Sequence, residues 1–127
     1  MKSESYRKIV ENYIDAYNRF DVDGMLKDMH EDVRFGNIAN GEINLSITGI
    51  SALREQAIQS AAYFKERRQN PLGFEFHEDE VEVRIAYDAI LAIDLPNGPR
   101  AGERIKIEGR SAFTFMNGKI IKLVDWS

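Results

Sequence analysis

Cysteine is absent from all 127 positions. That excludes disulfides, thiolate nucleophiles and sulfur-ligated zinc. It fits a reducing compartment, and a cytoplasmic location is the expectation. Long apolar runs are also missing. The opening residues, MKSESYRKIV, are interrupted by charge, so neither a signal peptide nor a membrane span is expected. There is no GxGxxG, no phosphate loop, no HExxH, no internal repeat and no low-complexity tract. Nor is there an excess of positive charge. Lys plus Arg is 17 against 21 for Asp plus Glu, a net charge of −4, which argues against a nucleic-acid partner. The densest basic cluster, Lys65, Arg67 and Arg68, reads as a solvated helix end.

What is present is a globular composition. Hydrophobic residues make up 43% of the chain, and one domain over residues 1–127 is the expectation. Tyr6, Ile9, Val10, Tyr13, Ala16, Tyr17 and Phe20 recur at three- and four-residue steps, predicting a helix over about 3–20. Asp21 is placed to cap a short second helix carrying Met25, Leu26 and Met29. Short strands are expected over 33–38 and 43–48 around the turn former Asn40-Gly41. A third helix is expected from a Ser51 cap to about Gln69, ended by Asn70-Pro71-Leu72-Gly73. Four strands follow. The first runs 74–86, with a bulge near 77–79 to reconcile the Phe74/Phe76 and Val81/Val83 parities. Tyr87-Asp88 then turns into a strand over 89–95, and Pro96-Asn97-Gly98-Pro99 forms a loop. Two alternating segments around Asn117-Gly118 complete the set. The fold class is α+β, with three helices covering the apolar face of a bent, mostly antiparallel sheet of about six strands.

Four stretches carry a resemblance: Tyr13 to Asp21, Met29 to Phe35, Thr48 to Arg54, and Phe115 to Ile121 leading to Asp125-Trp126. In order and spacing the chain resembles the nuclear transport factor 2-like superfamily, and within it the ketosteroid isomerase-like and SnoaL-like proteins. The resemblance implies a cone-shaped half barrel with a deep pocket between sheet and helices. It also implies a homodimer through the outer sheet face, with no cofactor. That fold hosts isomerases, cyclases and proteins with no chemistry, so function must be argued from the site.

Ketosteroid isomerase uses a carboxylate base and an oxyanion hole made of a tyrosine and a protonated aspartic acid. The resemblance places Tyr13 at the tyrosine position. It places Asn37 at the base position, where an amide cannot take a proton at neutral pH, and Ser111 at the protonated-acid position, where a hydroxyl is a poorer donor, though either could help Tyr13 hold a ligand oxygen. Steroid isomerisation by that mechanism is therefore not expected. SnoaL-like cyclases look instead to an acid near the end of the last strand, where this chain has Asp125. Ile121, Leu123 and Asp125 share one parity, but the competing face of Ile120, Lys122, Val124 and Trp126 is also largely apolar. Both orientations stand.

The expected catalytic pair is Asp125 and Tyr13. The expected ligand-binding set is Tyr17, Phe20, Asn37, Ala57, Phe64, Ser111, Phe113 and Leu123. The ligand would be a small hydrophobic carbonyl compound, and the reaction an isomerisation or cyclisation by carboxylate acid/base chemistry. The alternative is a non-catalytic ligand-binding or association domain of the same fold. Bland readings accompany the sharp ones. Tyr13 and Tyr17 also suit core packing, Asn37 also suits a turn, and the lone Trp126 suits packing. His77 among Glu75, Glu78 and Asp79 reads as a solvated acidic edge scattered over two faces, so no metal is expected.

Overall fold

Apolar residues at helical spacing build the first element. A computed structural model describes residues 2–96 and 98–127. Helix α1 spans Lys2–Asn18 and buries Tyr6, Val10, Tyr13, Ile14 and Ala16. It ends at Phe20, whose φ of 59° lies in the left-handed region. The Asp21 amide reaches back to the Ala16 carbonyl at 2.9 Å, closing the helix end. Helix α2 spans Val22–Leu26, and the Asp21 carboxylate accepts from its Gly24 amide at 3.0 Å, the cap that the sequence suggests. Strands β1 (Met29–Ala39) and β2 (Glu42–Thr48) form a hairpin around Asn40 and Gly41, both at positive φ. Helix α3 spans Ile50–Ala61.

The third helix is shorter than expected, and its cap is Gly49, with no side-chain bond from Ser51. Strand β3 begins at Phe64 and runs to His77. Lys65 to Arg68 therefore lie in a strand, and Arg67 is only 4% exposed. Pairing with strand β4 (Glu80–Leu91) overrides the helical pattern. Pro71 is tolerated because β3 is an edge strand and its register shifts between Pro71 and Gly73. The expected bulge near 77–79 is instead a hairpin turn, with Glu78 at φ 48°. Tyr87 and Asp88 do not turn. They continue β4, opposite Gln69 and Arg68. Of the expected loop 96–99, Asn97 lies outside the described residues. Strands β5 (Arg104–Met116) and β6 (Lys119–Trp126) follow, joined at Asn117-Gly118.

The six strands form one sheet in the order β2-β1-β6-β5-β4-β3. Every neighbouring pair is antiparallel except β1 with β6. This is the α+β half barrel, three helices against a curved mixed sheet. A register shift in the β5–β6 pair sets Phe115 against Ile120, so Ile120 takes the core position that parity alone gives to Ile121. Beyond that shift, Leu123 is 1% exposed and points to the core. The core joins Val10, Tyr13 and Ile14 of α1 to Val33, Val81, Val83, Phe113, Phe115, Ile120 and Leu123 of the sheet. Among the described residues no helix is long and apolar enough to cross a membrane.

Candidate active site

Side chains two apart on one strand share a face, and neighbouring strands bring those faces into rows. One such row runs across the concave side of the sheet. Asn37 of β1 is the register partner of Asp125 of β6, and Asp125 is that of Ser111 of β5. A second row sets Gln69 of β3 beside Tyr87 of β4 and Ile107 of β5. Helix α1 lays Tyr13 and Tyr17, four residues apart, over these rows. Helix α3 contributes Leu53 and Ala57 from its buried side. The space left between sheet and helices is a cavity of about 350 Å³. That size suits a small organic ligand.

Asp125 is the acidic group of this cavity. The Ser111 hydroxyl donates to one carboxylate oxygen at 2.6 Å. Burial pushes the Asp125 carboxyl up to about 6, against a smaller downward pull from Ser111. The residue keeps part of its surface because it borders an open cavity, while the surrounding apolar walls desolvate the charge. Tyr13 packs edge-on against Phe113, with ring centroids 5.5 Å apart. Its hydroxyl makes no hydrogen bond among the described residues. Burial, then the charges of Asp125 and Tyr17, hold its pKa well above the ordinary tyrosine value. Tyr13 therefore remains a neutral donor in the same cavity as a carboxyl raised to about 6.

A second polar group lines the same cavity. The Tyr17 and Tyr87 hydroxyls lie 2.8 Å apart, and both residues line the cavity. Phe64 packs edge-on against Tyr87 at 6.2 Å. Gln69 lines the cavity too, held by its backbone, which bonds both ways with the Asn18 side chain. Behind Tyr17 the Arg67 guanidinium lies 3.7 Å from the ring centroid and donates to the Tyr17 carbonyl at 2.8 Å.

Of the residues expected from sequence, Tyr13, Tyr17, Asn37, Ala57, Phe64, Ser111 and Asp125 line this one cavity. Three do not. Phe20 stands in the left-handed turn just after α1, where its ring lies 4.5 Å from the Arg67 guanidinium. Phe113 and Leu123 face each other across β5 and β6 and are 1% exposed, sealed in the core beneath Tyr13. Asn37 spends its amide on Asn44 at 2.8 Å rather than on Asp125. Sequence reasoning missed Tyr87, Gln69 and Arg67. Tyr87 looks like a turn residue, and the other two fall where the helical pattern runs on.

The acidic edge differs from expectation. Glu75, His77 and Glu82 present three ligand-type atoms within 4.8 Å of one another, on one face of the β3–β4 hairpin. His77 and Glu75 share parity, and Glu82 is the register partner of Glu75. Glu82 is already paired with Arg110, a cation where a metal would need charge. His30 lies in β1. Its Nδ1 accepts from the Asp32 amide at 3.0 Å inside β1.

Known structures share this architecture. A candidate polyketide cyclase from Xanthomonas campestris pv. campestris superposes with a TM-score of 0.82 at 19% identity, covering 98% of this chain and 90% of that one. AclR, a candidate hydroxylase from Streptomyces galilaeus, gives 0.75 at 17% identity, over 97% and 87%. An NTF2-like protein of unknown function from Burkholderia pseudomallei K96243 gives 0.72 at 17% identity, over 95% and 88%. At such identities the likeness shows the fold. No curated protein matches the sequence. Residues 10–123 match the SnoaL-like domain, and the chain belongs to that family.

Proposed function

We propose that the cavity is an active site for cofactor-independent acid/base chemistry on a small hydrophobic carbonyl compound. The observation that carries this reading is Asp125. Its carboxyl is desolvated, held by Ser111 at 2.6 Å and raised to about 6, which suits proton transfer at neutral pH. The Asp125 carboxylate takes a proton from the carbon next to the carbonyl. The electron pair of that C–H bond moves into an enolate, and Tyr13 donates to the enolate oxygen. Return of the proton to a different carbon completes an isomerisation. Attack of the enolate carbon on a second carbonyl, with the Asp125 proton passing to the new alkoxide, completes an aldol-type cyclisation. Fold relatives named as candidate polyketide cyclases are consistent with the second outcome.

Hydrogen exchange at carbon tests this without knowledge of the product. In D2O the protein should incorporate deuterium next to the carbonyl of bicyclic ketones such as 2-tetralone, followed by NMR. The rate should rise as pH passes through about 6 and then level. Asp125→Asn should lower it by about a hundredfold or more. No exchange above buffer with any ketone of the panel, or an unchanged rate in Asp125→Asn, sinks the assignment and leaves the cavity as a binding site.

We also propose that two copies pair through the convex sheet face. Glu82, Arg84, Glu108 and Arg110 place both charge signs there, and like charges face each other at Arg84 and Arg110 within one chain. Arg110 is already paired with Glu82, and a twofold-related copy offers Arg84 an acidic partner.

A further inference from the structure

Arg67 is a buried cation with no carboxylate. It is 4% exposed, and among the described residues it forms no salt bridge. Its Nε is satisfied by the Tyr17 carbonyl and its Nη2 meets only the Met25 sulfur at 3.7 Å. Its Nη1 is buried and has no hydrogen-bond partner among the described residues. Buried charges are ordinarily paired, and an orphaned guanidinium nitrogen is costly. Two aromatic faces, Tyr17 and Phe20, lie against the guanidinium at 3.7 and 4.5 Å. They supply attraction but no countercharge.

The positive charge is placed to act on the cavity through the wall it backs. Tyr17 has its ring on Arg67 and its hydroxyl on that of Tyr87. Two hydroxyls share two protons, and one proton serves the bond between them. The other remains free to donate into the cavity that both residues line. Gln69 stands in the same row, and its side-chain amide makes no hydrogen bond among the described residues. The Tyr17–Tyr87 pair therefore presents a donor backed by a fixed cation, in the same cavity as Asp125, which accepts.

We propose that the ligand is a planar hydrophobic anion, an aryl carboxylate or phenolate. Its charged oxygen sits at the Tyr17–Tyr87 pair, with Arg67 as countercharge, and its apolar body runs toward Asp125. The proposal rests on the cavity being a ligand site, as above, but not on Asp125 acting as a base. It adds the substrate class to that reading: an acidic oxygen at one end and the reacting carbonyl at the other.

Calorimetric titration at pH 7.5 with 2-naphthoate and its neutral isostere 2-naphthamide tests it. Wild type should bind the anion at least about tenfold more tightly than the amide. Asp125→Asn, which removes the second charge, should keep that preference. Arg67→Met should abolish the preference, and Tyr87→Phe should weaken naphthoate while sparing naphthamide. If Arg67→Met does not fold, Tyr17→Phe with Tyr87→Phe decides, since both rings stay in place. Equal affinity for the two probes overturns the proposal, as does binding of neither or a preference unmoved by these variants. Loss of carbon exchange in Asp125→Asn with no anion preference would retain the base and reject the anion site. The converse pattern would retain the anion site alone.

Discussion

Asp125 shows how one residue couples chemistry to stability. Its pKa is raised in the folded protein and ordinary in the unfolded chain. The folded state therefore binds the proton more tightly, and stability falls as pH rises from about 4 to about 6. Above that window the penalty of a buried carboxylate is fully present. Asp125→Asn removes it. The variant should gain about 2 kcal/mol more over wild type at pH 8 than at pH 4.5, allowing for exposure to the cavity. Urea denaturation at the two pH values measures this, and an equal effect at both contradicts the burial of the charge. The place of Asp125 near the end of the last strand was legible, but its facing was not, because both parities of that strand are largely apolar. Arg67 was not legible. A cation between Glu66 and Arg68 reads as solvent-facing, and only the strand that pairs with β4 turns it inward against two aromatic rings.

Elements were legible where periodicity and turn chemistry agreed. Helix α1 shows its buried stripe, and both Asn-Gly turns take positive φ, as the sequence suggests. Strand β3 was hidden because its inward positions include Arg67 and Gln69, so the alternation of apolar residues that marks a strand is missing there. The bulge on β6 was hidden because Ile120 and Ile121 are equally apolar, and register rather than composition chooses between them. The end of β6 also depends on a single glycine. A Cβ at Gly109 would lie 2.3 Å from the Trp126 carbonyl oxygen, which is backbone and cannot swing aside. Gly109→Ala should cost roughly 1–3 kcal/mol by overpacking. It should also displace the strand carrying Asp125, so any carbon exchange should fall more than stability predicts. Thermal melts and exchange rates on the same samples check both. A variant as stable and as active as wild type would show that β6 yields without consequence.

The whole molecule presents two faces with different duties. The concave face gathers Tyr13, Ser111 and Asp125 around a cavity, and the convex face carries charges of both signs. If copies pair through the convex face, sedimentation velocity should give twice the mass of 14.6 kDa. Val124→Lys, which sets a charge at the centre of that face, should return the monomer and leave the cavity residues in place. A monomeric wild type at micromolar concentration would end the idea.

β6 is the last strand in the chain but third in the sheet, between β1 and β5. Until it arrives, the β1–β2 hairpin and the β3–β4–β5 meander are two separate sheets. Each has an open edge of unpaired backbone groups facing the gap. During synthesis this gap persists until Lys119 to Trp126 have left the ribosome, and the nascent chain is exposed to edge-to-edge association for that time. The strand that closes the gap also delivers Asp125, so the carboxyl meets Ser111 and Asn37 only where the two sheets are joined.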